Sequence, residues 1–165
     1  MTRRQSLDLA DLSLSTERLG PLPLINHFLA RLELDARVDH FVPTRDRRVR
    51  VPYGKALGVL VRSILVEREP IYRQQETVSG FAPKCFGLSP EESGAISDDA
   101  IGRSLDRLFD ADRASLLTDI VVTAVKEFGL VLDELHNDST TVRFCGQYRG
   151  ARGRTLRGKR APAIT

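Results

Sequence analysis

Gly129-Leu130-Val131-Leu132-Asp133-Glu134-Leu135-His136-Asn137-Asp138-Ser139-Thr140-Thr141-Val142-Arg143-Phe144 is where this chain changes character. Upstream, apolar residues recur with a helical period of 3.6 residues. Within the stretch, branched and aromatic residues take over, as strands require. The reading that follows is a helix stopped at Gly129 and a strand opening at Leu130.

The helix before the switch is well marked. Asp112 stands at its N-cap position, and Leu116, Leu117, Ile120, Val121, Ala124 and Phe128 form its apolar positions. Gly129 is a C-terminal stop, because glycine tolerates the left-handed backbone that ends helices. One helix further back, Ser97 is an N-cap and Asp98 and Asp99 favour the positive end of a helix dipole. Ile101, Leu105, Leu108 and Phe109 supply that helix's stripe. Adjacent acids on a helix point in different directions, so Asp98 and Asp99 read as capping residues rather than a catalytic pair.

Nearer the N-terminus, Leu24, Ile25, Phe28, Leu29 and Leu32 predict a helix after Pro21, with His27 at the edge of its stripe. Leu57, Leu60, Val61, Ile64 and Leu65 predict another after Pro52, on which Gly54 and Gly58 permit close packing. Tyr72 to Val78 reads as a short helix, and Gly80 to Gly94, with Pro83, Gly87 and Pro90, as mostly loop. Residues 1–17 read as a weak strand or a loose arm. The loop at 42–52 carries Arg45, Arg47, Arg48 and Arg50 against Asp46 alone. It reads as a solvated connection that is also able to touch phosphates.

The expected organisation is an arm at 1–18, a helical domain at 19–129, and a strand-forming segment with a basic tail at 130–165. The fold class is mainly α, with the helical domain followed by an opening β-strand or hairpin. Cys85 and Cys145 form no C-x-x-C pair and read as reduced thiols of a cytosolic protein. No secretory h-region is visible and no apolar run approaches the roughly 20 residues that span a bilayer. A cytoplasmic location without a membrane partner is expected.

Charge is unevenly distributed. All 22 acidic residues lie at or before Asp138, with 18 basic ones, a formal −4. After Asp138 come Arg143, Arg149, Arg152, Arg154, Arg157, Lys159 and Arg160 without an acid, a formal +7. An acid-free basic tail on a mildly acidic body fits a polyanionic partner, and it equally fits a solvated tail.

Asp138 interrupts strand-forming residues, and an acid there lowers strand propensity. It fits a metal-ligating carboxylate on a rigid strand, since Mg²⁺ prefers oxygen ligands. It also fits a strand-end acid hydrogen-bonded to Ser139 or Thr140. Spacing alone favours the strand-end acid.

Leu135-His136-Asn137-Asp138-Ser139-Thr140-Thr141, followed by Phe144, Gly146 and Tyr148, resembles the first catalytic strand of a group of DDE-class insertion-sequence transposases. Ser97-Asp98-Asp99-Ala100-Ile101-Gly102-Arg103-Ser104-Leu105-Asp106-Arg107-Leu108 resembles a helix start in the helical domain before that strand. Leu19-Gly20 to Leu32 resembles that domain's opening. The resemblance covers about residues 17–165.

It implies an RNase H-like core in which two aspartates and a glutamate hold two divalent metals, Mg²⁺ by preference. The metals activate water or a DNA 3′-hydroxyl for attack on a phosphodiester. Asp138 would be the first of the three, both catalytic residue and metal ligand. His136 and Asn137 receive no metal role.

The chain departs from that pattern after Asp138, because no further acid follows. One carboxylate does not hold two metals. The expectation is therefore an N-terminal part of a DDE transposase, with an incomplete RNase H-like core, inactive by itself. The alternatives are a non-catalytic helical DNA-binding module and a decayed copy. DNA is the expected partner, through Arg149, Arg152, Arg154, Arg157, Lys159 and Arg160; a homo-oligomer is left open.

Overall fold

The computed structural model describes residues 16–133, 154–156 and 158–161. The expectations for residues 1–15 and for 134–153, Asp138 and Cys145 included, lie outside the described residues. The chain divides into two compact units, Met1–Thr123 and Ala124–Thr165.

The first unit is helical throughout its described length. Its elements are α1 (Leu22–Arg31), α2 (Leu34–Phe41), α3 (Tyr53–Val66), α4 (Gln74–Ser79), α5 (Pro90–Ser93) and α6 (Asp98–Asp110), with α7 (Arg113–Phe128) beginning in it. Short 3₁₀ turns occupy Ile71–Arg73 and Pro83–Phe86. Residues 20–128 contain no strand, as the 3.6-residue periodicity predicts.

α3 is the centre, packed chiefly on α6 and α2. One side of it sends Ala56 and Val59, both fully buried, into a core with Leu22, Phe86, Ile96 and Ile101. The other side sends Tyr53 and Leu57 into a second cluster with Leu29, Leu34, Val38 and Leu116. Each large apolar side chain buried this way contributes roughly 1.5–3 kcal/mol. Gly54 and Gly58 are where α2 comes closest. A Cβ on Gly54 would lie 2.0 Å from Asp39 Oδ1, and one on Gly58 would lie 3.1 Å from Asp35 Oδ1.

The helix ends follow the local signals. Ser97 Oγ accepts the Ala100 N–H at 3.2 Å, and Asp112 Oδ1 accepts the Ser115 N–H at 3.1 Å. Gly129 has φ +59°, and the Leu130 N–H reaches back to the Val125 carbonyl at 3.0 Å. That is a Schellman-type stop, in which a left-handed residue lets the next amide satisfy an orphan carbonyl.

Three expectations are corrected. Residues Leu130–Leu132 form no strand; they are exposed and irregular, with no neighbouring strand among the described residues to pair with. The described strands are instead β1 (Arg154–Leu156) and β2 (Lys159–Ala161), an antiparallel hairpin turned at Gly158. Among the described residues these two three-residue strands are the only ones, and they do not by themselves form an RNase H-like sheet.

The segment 80–94 is not simply loop. Phe81, Ala82, Cys85, Phe86 and Leu88 are all buried in the first core cluster. Finally, the inward faces of α1 and α3 are rotated from the expected stripes. Leu24 and Phe28 are exposed while Leu22 and Leu29 are buried; Ile64 and Leu65 are exposed while Arg62 and Ser63 are buried. Both helices carry apolar residues around much of their circumference, so periodicity does not choose a face.

Candidate nucleic-acid interface

The loop between α2 and α3 is folded around two polar side chains. Thr44 Oγ1 accepts the Tyr53 N–H at 2.7 Å and so caps the start of α3, where Pro52 offers no side-chain acceptor. Asp46 Oδ1 accepts the Arg48 backbone N–H at 3.0 Å, and its carboxylate takes a two-pronged guanidinium contact from the same residue at 3.1 and 2.9 Å. Those Arg48 hydrogen bonds, side chain first and backbone second, lower the Asp46 carboxyl to about 2. Val51 is buried and pins the loop to the core. With its apolar residue held inward, the loop turns Arg45, Arg47, Arg48 and Arg50 to solvent.

α6 presents the facing wall. Ile101 and Ser104 are fully buried, which turns the opposite side of this amphipathic helix outward. On that side Arg103 and Arg107 stand one helical turn apart. The Arg107 guanidinium lies 5.7 Å from the centroid of the Tyr53 ring. Arg103 reaches Asp99 at 4.0 Å, with both side chains more than half exposed. Between loop and helix lies a cleft of about 530 Å³, rimmed by Arg48, Arg50, Arg103 and Arg107 and containing one acid, Asp46. Val51, Tyr53, Ala95 and Ala100 form its floor.

The residues singled out from the sequence fall differently. Asp138, Arg149, Arg152 and Arg157 lie outside the described residues. Arg154, Lys159 and Arg160 lie on the hairpin, whose register sets Arg154 opposite Ala161, Thr155 opposite Arg160 and Leu156 opposite Lys159. Asp98 and Asp99 sit in the first turn of α6, where Asp98 Oδ1 accepts the Asp99 N–H at 2.9 Å, so their role there is structural.

Among the described residues no group of three His, Cys, Asp or Glu side chains is placed to hold a metal ion. Three carboxylates follow Gly129, namely Asp133, Glu134 and Asp138, and only Asp138 matches the metal-ligating position of the resemblance, so the three spaced ligands of a two-metal centre are not all present. Also among the described residues, no helix is long and apolar enough to cross a membrane.

Sequence reasoning missed Arg103 and Arg107. Their i, i+4 spacing opposite Ile101 and Leu105 is a visible signal, but nothing local says that the 45–50 arginines face them.

Comparison with curated proteins and with solved structures gives no match. A family match spans residues 14–122, about two thirds of the chain and nearly the whole described part of the first unit. The chain belongs to the DUF4277 family, a domain of unknown function.

Proposed function

We propose that this chain is the N-terminal part of a DDE-class transposase, in which the helical unit and the basic tail handle DNA. The observation that carries this is the sequence Leu135–Thr141 with Asp138, set immediately after a helical unit that carries an arginine-rimmed cleft. Asp138 then supplies one of three metal-ligating carboxylates. With no acid after it, this chain alone is not a nuclease. A non-catalytic DNA-binding module is the second reading, favoured by that same cleft.

The test is a DNA-binding titration of the whole chain at several salt concentrations, beside a variant in which Arg149, Arg152, Arg154, Arg157, Lys159 and Arg160 are all glutamine. Six phosphate contacts give a log–log salt slope around −5, with dissociation constants of roughly 10⁻⁴ to 10⁻⁶ M at physiological salt. The expected result is that the glutamine variant loses a slope of about 5. Equal slopes remove the tail from the interface. Absence of binding by the whole chain removes DNA from the reading. Sequencing the coding region beyond codon 165 is the complementary check. A continuation, in frame or shifted, with two further spaced acids supports the transposase assignment; unrelated sequence there counts against it.

A further inference from the structure

We infer that the cleft between the 44–51 loop and α6 is a docking site for the phosphodiester backbone of duplex DNA, separate in sequence from the basic tail. The proposal rests on the reading above for the identity of the polymer, and on the cleft itself for the chemistry. Four guanidiniums from two segments some fifty residues apart share one recess with one acid. Gathering like charges raises the free energy of the folded state unless a counter-charge joins them.

Asp46, the one acid that lines the cleft, does not complete that balance. Asp46 is engaged by Arg48. Asp99 meets Arg103 at 4.0 Å with both side chains mostly solvated, a pair of little strength that a phosphate readily displaces. Arg50 has no ion-pair partner among the described residues.

The residue type is informative as well. Every cation in the cleft is arginine, whose planar fork binds phosphate oxygens in pairs. Arg107 stands over Tyr53, which restricts its motion before any ligand arrives. The uncharged floor of Val51, Ala95 and Ala100 lets a strand approach closely, and the one acid of the recess, Asp46, is held by Arg48. Such contacts position a duplex without reading its sequence.

The experiment compares three full-length proteins by fluorescence anisotropy on a short labelled duplex over a range of salt. They are the wild type, Arg50→Gln/Arg103→Gln, and an equal-charge control, Arg73→Gln/Lys84→Gln, whose residues do not line the cleft. The cleft variant should weaken binding roughly tenfold to a hundredfold and reduce the salt slope by about 2, on every duplex sequence alike. The control should keep the wild-type slope.

Equal losses in both variants would mean diffuse attraction and overturn the site. An unchanged cleft variant beside a binding wild type would overturn the site while leaving the tail and the wider reading intact. No binding by the wild type would overturn both. Inorganic phosphate is the further probe. Saturation by phosphate as tight as by duplex would make this a small-anion site and overturn the duplex assignment. Thermal melts that coincide for all three proteins show that these exposed substitutions leave the fold in place.

Discussion

Arg62 is the residue on which the helical unit turns. It lies on α3 with 5% of its surface exposed, deep enough that an unpaired guanidinium would be costly. Its Nε donates to Asn26 Oδ1 at 2.7 Å, and its two terminal nitrogens donate to Asp35 at 3.2 and 3.0 Å. Asn26 in turn donates to the Cys85 carbonyl at 2.8 Å. One side chain thus ties α1, α2 and α3 to the 80–94 segment. Asp35→Ala strips the buried cation of its charge partner and should destabilise the unit by about 2–3 kcal/mol. Arg62→Met keeps the volume, removes the charge and leaves Asp35 to water; a loss of about 1–2 kcal/mol is expected, from the stranded Asn26. Because the two residues act as one unit, the double variant should be no worse than Asp35→Ala alone. Urea unfolding of the four proteins checks this, and additive losses would show that the pair does not work as a unit.

At the scale of elements, the approach of α2 to α3 depends on Gly54. Alanine there gains about 1 kcal/mol of helix propensity. It also sets a Cβ 2.0 Å from Asp39 Oδ1 and 2.8 Å from Asp39 Cγ, so the Asp39 side chain must move or the helices must part. Gly54→Ala should therefore destabilise, by about 1 kcal/mol net. In an Asp39→Ala background the same change should stabilise, because the obstructing atoms are gone. Thermal melts of the cycle read the reversal of sign; the same sign in both backgrounds would place the strain elsewhere.

The tether between α3 and α5 predicts a pH dependence. Glu92 accepts from Lys55 Nζ at 2.7 and 2.8 Å and from the Ser89 N–H at 2.8 Å, closing a capping box. Burial pushes its carboxyl up, but these donors outweigh burial and hold it below 4.5. Folded Glu92 therefore binds its proton less readily than unfolded Glu92. Its stabilisation is present above pH 4.5 and fades as pH falls through the lowered value. Asp39 acts oppositely. Burial first, and Asp35 second, raise its carboxyl, so its contribution grows on acidification and is lost as pH rises. The acid limb of a stability–pH profile should be shallower in Lys55→Met than in wild type, and Asp39→Asn should raise the melting temperature at pH 7 but not at pH 3. An unchanged acid limb in Lys55→Met would exclude the tether as its source.

For the whole molecule, the prediction concerns chemistry. On the proposed reading Asp138 is the one metal-ligating carboxylate of three that this chain carries, and one carboxylate cannot align two metals for phosphodiester attack. The purified chain should leave supercoiled plasmid intact in Mg²⁺ or Mn²⁺, assayed by gel over the salt range in which it binds. Metal-dependent nicking that disappears in Asp138→Ala would show that the three-carboxylate account is wrong for this protein.

Residue patterns alone determined the caps and most of the helices. Ser97, Asp112 and Gly129 act on backbone groups within a turn of themselves, so their effect is written in a few adjacent residues. The close packing at Gly54 was legible too, because a missing side chain on an apolar helix leaves room for a neighbour. Tertiary structure alone decided which faces point inward. α1 and α3 carry apolar residues on several sides, and Leu22, Arg62 and Ser63 went inside because partners from other segments met them there. It also decided that Phe81 to Leu88 would be core, since a loop is buried only when helices remote in sequence enclose it. The arginine cleft belongs to the same class. Arg48 and Arg50 on a loop, and Arg103 and Arg107 on a helix, become one surface only when Val51 and Ile101 are drawn into the core beneath them.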